Sequence, residues 1–237
     1  MVYLAAGYWF INPKSQIPAG HRECSGEAGG QNPKSKMAFT FFFRDLPALH
    51  AIRDHVIPEL RKNRYIKVWD AGCAMGPEPY SLAIIFKDTL GFYEFKRLKI
   101  YATDLDEESN EFGKIIGKGI YAEETVKRIP RDIFRKHFSP NEMPGYFKIA
   151  DEIMQCVSFQ KHDLRILKPI RDNFGLIVCK NVLLHLKELE RVDVIRMFHR
   201  SLAPRGFFVT EHTQKMPHDT AHLFKQITPN VQLFQKK

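Results

Sequence analysis

Trp69-Asp70-Ala71-Gly72-Cys73-Ala74-Met75-Gly76-Pro77-Glu78-Pro79-Tyr80-Ser81 is the stretch that decides the fold of this chain. Just before it, Ile66 to Trp69 is a short apolar run that predicts a strand. After it, a helix is expected from Pro79 to Thr89, since proline is tolerated at the start of a helix. Between the two, Ala71, Gly72 and Gly76 make a turn of small residues, which lets backbone N–H groups approach a ligand closely. A strand, a small-residue turn and a helix are one unit of an α/β fold whose ligands bind at the carboxyl ends of the strands.

The rest of the chain repeats the alternation. Asp45 is placed to cap a helix with Pro47 in its first turn, and Leu49, Ile52, Val56 and Leu60 recur at helical spacing. A strand is expected from Ile100 to Thr103 and a helix from Glu107 to Ile116. Val126 to Phe138 reads as helical but broken at Pro130. Tyr146 to Ile149 and Val157 to Phe159 read as short strands around Pro144-Gly145, and Phe174 to Cys179 as a strongly apolar strand. A helix from Leu189 to Leu202 turns Val192, Ile195, Met197, Phe198 and Leu202 inward. Pro204-Arg205-Gly206 then turns into a strand from Phe207 to Thr210, and Val231 to Phe234 is expected to close the sheet. Strands alternating with helices imply an α/β, doubly wound, mostly parallel sheet.

Polar residues gather where such a sheet places its ligand. The second strand runs into Asp104-Leu105-Asp106, and an acid there can accept two ribose hydroxyls. The gap from Asp70 is longer than the roughly 20 residues of a dinucleotide fold and the third glycine is missing, so a dehydrogenase is disfavoured. One of the two acids is expected to cap the next helix, Asp106 before Asp104. His162-Asp163-Leu164 follows another strand, placed to flank an adenine. Lys180-Asn181-Val182-Leu183-Leu184-His185 follows the strand ending at Cys179, where site and helix cap are both open readings.

Composition narrows the classes. The 237 residues are 44% hydrophobic, enough for a sizeable core. Residues 1–36 hold three prolines and five glycines without helical or alternating period, and read as an irregular arm. The net charge is +9, compatible with nucleic acid, anionic lipid or an acidic protein. Cys24, Cys73, Cys156 and Cys179 match no zinc or redox spacing, which points to free thiols and a cytoplasmic protein. No apolar run is long enough for membrane insertion, and the N-terminus lacks the basic start of a signal peptide.

Several segments together resemble the CheR family of chemotaxis protein methyltransferases. They are Thr40-Phe41-Phe42-Phe43-Arg44-Asp45, Gly76-Pro77-Glu78-Pro79-Tyr80-Ser81, Ala102-Thr103-Asp104-Leu105-Asp106, Gly119-Ile120-Tyr121, Cys179-Lys180-Asn181-Val182-Leu183 and Leu202-Ala203-Pro204-Arg205-Gly206. The resemblance runs from about Thr40 to the C-terminus. It implies a Rossmann-like methyltransferase fold with a small antiparallel β insertion, at 138–160 within a domain of residues 37–237. It implies S-adenosylmethionine as cofactor, S-adenosylhomocysteine as product, and receptor glutamates converted to methyl esters. The partner would be an acidic protein such as a chemoreceptor cytoplasmic helix.

The resemblance also suggests roles. Thr40 and Arg44 would contact the cofactor or the substrate carboxylate. Gly72 would face the cofactor through its backbone, Glu78 would hold the methionine amino group, and Asp104, with Leu105 beside it, would hold the ribose. Asp163 and Leu164 would flank the adenine, and Lys180 and Asn181 would lie near the sulfonium. The family usually has Arg where Lys180 stands and Tyr where His185 stands. Arg44, as carboxylate anchor, and His185 are the candidate catalytic residues. An ionised glutamate needs no base, but an amine acceptor would, and a histidine suits that task. A methyltransferase for an amine, another small molecule or a non-chemotaxis protein is therefore the rival, and a cofactor-binding module with reduced catalysis is a third reading. No nucleic-acid partner is expected, because the Asn/Asp-Pro-Pro-aromatic motif of base-nitrogen methyltransferases is absent at Asn181.

Overall fold

The computed structural model describes residues 40–106, 111–213 and 215–237. The arm at 1–36 and the expected helix start at Glu107 lie outside the described residues. In chain order the strands are β1 (Ile66–Ala71), β2 (Leu98–Asp104), β3 (Ile120–Ala122), β4 (Phe138–Pro140), β5 (Tyr146–Ile149), β6 (Val157–Lys161), β7 (Phe174–Cys179), β8 (Leu202–Thr210), β9 (Phe224–Gln226) and β10 (Leu233–Lys236). The helices are α1 (Leu46–Ala51), α2 (Ile57–Leu60), α3 (Pro77–Thr89), α4 (Phe92–Phe95), α5 (Phe112–Lys118), α6 (Glu123–Val126), α7 (Arg131–His137), α8 (Asp151–Met154), α9 (Glu188–Ser201) and α10 (His218–Ala221).

Seven strands form one sheet, ordered β6-β2-β1-β7-β8-β10-β9. It is parallel from β6 to β8, and β10 and β9 join antiparallel. Side chains alternate across it with the period of two that strands impose. Val68, Ile100, Leu176 and Val209 face Leu82, Ala83, Ile84 and Phe86 of α3. Trp69, Ile177 and Phe208 face Val194, Ile195, Met197 and Phe198 of α9. This is the doubly wound, Rossmann-like arrangement. The order reverses at β1 and β7, so the carboxyl ends of those two strands open a crevice between them.

Several expectations are corrected in detail. The helix marked by Leu49, Ile52, Val56 and Leu60 contains a π-turn at Ile52–Val56. Pro58 has no N–H for the Asp54 carbonyl and its ring needs room there, which a widened turn supplies. The stretch 138–160 is not one unit. A second, antiparallel sheet is ordered β3-β5-β4, so it recruits Ile120–Ala122, whereas β6 leaves it to pair with β2 through Ile100↔Val157 to Asp104↔Lys161. The strand near the C-terminus does not close the sheet. It begins at Leu233, lies beside β8, and is covered by β9 at the edge. β8 starts earlier than Phe207, and its register shifts opposite Phe174 and Leu176, where Arg205 takes a positive φ.

Candidate active site

Four chain segments meet at the carboxyl end of the parallel strands. The first is the approach to α1. Phe42 is fully buried, with edge-on contacts to Tyr121 at 5.0 Å and Phe138 at 5.3 Å, both from the antiparallel insertion. The Phe43 N–H donates to Ser81 Oγ at 2.9 Å, and that hydroxyl donates to the Pro77 carbonyl at 2.6 Å. Asp45 Oδ1 accepts from the Ala48 N–H and caps α1. These anchors hold Thr40, Phe41 and Arg44 on the wall of the crevice. The capping role expected of Asp45 is met.

The second segment is the turn after β1. The Gly72 and Cys73 N–H groups donate to the Thr103 carbonyl at 2.7 and 3.0 Å. Gly72 has φ +103°, and a Cβ there would stand 2.0 Å from Val182 Cγ2, so only glycine fits. Asp104, at the end of β2, accepts at 2.8 Å from the Ala74 N–H through one oxygen and at 2.8 Å from the Leu105 N–H through the other. The second oxygen also takes a long contact of 3.4 Å from the Asp106 N–H, whereas the one bonded to Ala74 keeps capacity for a hydroxyl donor. Helix capping falls to Asp106, which accepts from the Phe112 N–H.

The third segment follows β7. Lys180 is 7% exposed, and its Nζ lies 2.8 Å from Glu78 Oε1 and 3.6 Å from Asp45 Oδ2. Burial works against the ammonium, but Glu78, Asp45 and Asp70 outweigh it and raise its pKa above the ordinary lysine value. Lys180 is thus a cation held between Asp45, the cap of α1, and Glu78 of α3, turned onto the carboxylate expected to receive the cofactor's amino group. Asn181 takes φ +59°, and its N–H donates to Glu211 Oε2 at 3.0 Å, which also accepts from Thr210 Oγ1 at 2.8 Å. Beneath this cluster Asp70 is fully buried with no hydrogen-bond partner on either oxygen among the described residues. Burial first, and then the charge of Glu78, drives its carboxyl well above the usual carboxylate range.

The fourth segment follows β6. The His162 N–H donates to the Asp104 carbonyl at 2.9 Å, and its ring packs edge-on to Trp69. Burial lowers the His162 pKa, which keeps the ring neutral near pH 7. Asp163 caps the short 3-10 turn Leu164–Ile166 through the Arg165 N–H, and its carboxylate is gripped by the Arg165 guanidinium at 2.9–3.1 Å. That hydrogen bonding holds its pKa below the usual range.

One cavity of about 640 Å³ joins the four segments. Its wall includes every sequence-predicted site residue: Thr40, Arg44, Gly72, Glu78, Asp104, Leu105, Asp163, Leu164, Lys180, Asn181 and His185. That volume suits a nucleoside-sized ligand. Cys73 and Cys179 are fully buried, and burial raises both thiols well above the ordinary value, so neither is a nucleophile. Residues 38–232 match the family described as CheR methyltransferase, SAM binding domain.

The chain belongs to the CheR methyltransferase family. It is 26% identical over 195 residues to a probable chemotaxis protein methyltransferase of Rhizobium etli, covering 80% of this chain and 72% of that protein. It is 28% identical to a chemotaxis protein methyltransferase of Escherichia coli, covering 76% of this chain and 61% of that one. A putative methyltransferase, Cher3, of Pseudomonas putida is 32% identical, with 70% of this chain and 61% of the relative covered. The match thus spans between 61% and 72% of the length of these relatives.

The cofactor of this CheR-family chain is S-adenosylmethionine. The residues present fit it: the Glu78 carboxylate for an ammonium, an Asp104 oxygen with acceptor capacity left for a hydroxyl, and a glycine turn that admits close approach. Motif reading gave Asp70 no role in the site and missed Glu211. Glu211 follows the last residue of β8 directly, so the strand-end rule pointed to it, but no local pattern marks an acid that works beneath a neighbouring loop.

Proposed function

We infer that this chain transfers the methyl group of its cofactor to glutamate carboxylates of a protein, forming methyl esters, and that the acceptor is an acidic segment such as a chemoreceptor's cytoplasmic helix. The reaction would take place in the cytoplasm. The observation that carries this reading is the presence of Arg44 and the cofactor-type residues Glu78 and Asp104 on one cavity wall. A carboxylate held by that guanidinium is delivered to the cavity that holds the cofactor.

S-adenosylmethionine supplies an electrophilic methyl group on a sulfonium that leaves as a neutral thioether. The chain's own residues have simple tasks. Glu78 would hold the amino group and Asp104 the ribose. Arg44 would orient the acceptor carboxylate through paired hydrogen bonds. Phe41, Leu164, Val182 and Leu184 on the wall would exclude water and strengthen those contacts. A glutamate with a pKa near about 4.3 arrives ionised, so no residue need take a proton. Orientation and desolvation carry the rate.

His185 also lines the cavity, and this supports a second reading in which it serves as base for an amine acceptor. Labelled methyl transfer followed by alkali separates the two. Label released by base means an ester, and label retained means nitrogen. Calorimetry tests the cofactor site directly. Asp104→Ala removes the charged acceptor for the ribose and should weaken S-adenosylhomocysteine binding by roughly 10- to 100-fold, since a bond to a charged group contributes about 1.5–3 kcal/mol. Unchanged affinity would remove Asp104 from the site.

A further inference from the structure

Phe41 lines the cavity, and two arginines share its ring. The guanidinium carbon of Arg44 lies 5.9 Å from the ring centroid and that of Arg128 lies 4.5 Å from it. Arg128 belongs to no motif read from the sequence and does not line the cavity. It sits in the turn between α6 and α7, where Val126 and Ile129 on either side are buried at 2% and 6% exposure. Those two anchors turn the intervening Lys127 and Arg128 outward. Lys127 pairs with Glu124, whereas no carboxylate among the described residues pairs with Arg128. Its placement is therefore set by the aromatic face, which attracts a guanidinium without neutralising it. The N–H edges of such a stacked guanidinium remain available for bidentate recognition of a carboxylate.

We propose that Arg128 is a substrate-selecting residue that binds a second carboxylate of the acceptor protein, beside the one that Arg44 presents for methylation. The two guanidinium carbons are no farther apart than the sum of their distances to the shared centroid. Carboxylates three or four positions apart on a helix, with Cβ atoms about 5–6 Å apart, fall within that reach. The acceptor favoured by this surface is a helix with a glutamate acceptor and another acid one turn away. The inference rests on the reading of the chain as a carboxylate methyltransferase, and it adds which acidic context is chosen.

The test uses the full chain with S-adenosylhomocysteine bound and two fluorescent helical peptides. Each carries one glutamate acceptor, and they differ only in having Glu or Gln four positions away. The chain should bind the diacidic peptide about tenfold more tightly, an effect that shrinks as salt rises. Arg128→Gln should abolish the preference, and Arg128→Lys should restore part of it without the bidentate geometry. S-adenosylhomocysteine affinity checks that the cavity is intact in each variant. Equal binding of the two peptides by the unaltered chain, or a preference that survives Arg128→Gln, overturns the proposal. Because binding is read without turnover, failure of methyl transfer to give a base-labile product counts separately, against the carboxylate reading.

Discussion

Replacing Lys180 with Met removes a cation that contacts both Glu78 and Asp45. Its Nζ stands 2.8 Å from one carboxylate and 3.6 Å from the other, and the side chain is 7% exposed. With an effective dielectric near 20, each of those contacts is worth about 5–6 kcal/mol before solvation is counted. Burying the ammonium cancels several kcal/mol of that, and removing one partner of a buried pair leaves a net loss of about 3–5 kcal/mol. For a chain of this size that loss lowers the melting temperature by roughly 6–20 °C. Urea unfolding of Lys180→Met, Glu78→Gln and the double variant gives the coupling, which should exceed about 1.5 kcal/mol. If Glu78 receives the cofactor's amino group, S-adenosylhomocysteine should raise the melting temperature of Lys180→Met by more than that of the unaltered chain, since its ammonium replaces the missing charge. A Lys180→Met protein that melts within about 1 °C of the original, or a cycle in which the two substitutions simply add, would show that the pair is not a working contact.

Two further outcomes follow from the same cluster. Asp70 keeps its proton in the folded state at pH values where the unfolded chain has lost it, so the native state binds more protons and stability falls as pH rises above about 4. Asp70→Asn, the uncharged isostere, should be more stable than the original at pH 7, with the difference vanishing towards pH 4 in a series of thermal melts. A difference that grows on acidification refutes the assignment. Gly72→Ala must move Val182 and strain a backbone at φ +103°, so it should cost at least about 1–3 kcal/mol of stability and abolish detectable product binding by calorimetry. Wild-type affinity in that variant would mean that the turn does not touch the ligand.

What the sequence by itself determined is the order of the parts. Alternating strand and helix periods, a small-residue turn after β1 and polar residues after β2, β6 and β7 were legible because each is a local pattern. In a doubly wound sheet those positions share one edge, and so every residue assigned a cofactor or catalytic role from them lines the cavity. Tertiary structure decided what no local pattern encodes. Whether Val157–Lys161 joins the main sheet or the insertion depends on which edge offers hydrogen-bonding groups, here those of β2. Lys180 follows β7 as expected, but only the fold shows that its ammonium meets Glu78 and Asp45, because a buried charge is held by the nearest opposite charge. Arg128 reaches Phe41 across 87 positions only because Val126 and Ile129 are driven into the core and turn it outward. The opening turn from Asp70 to Ser81 named the fold through glycine and proline. Its buried acid, Asp70, acquires meaning only from the carboxylates and the lysine that the fold packs around it.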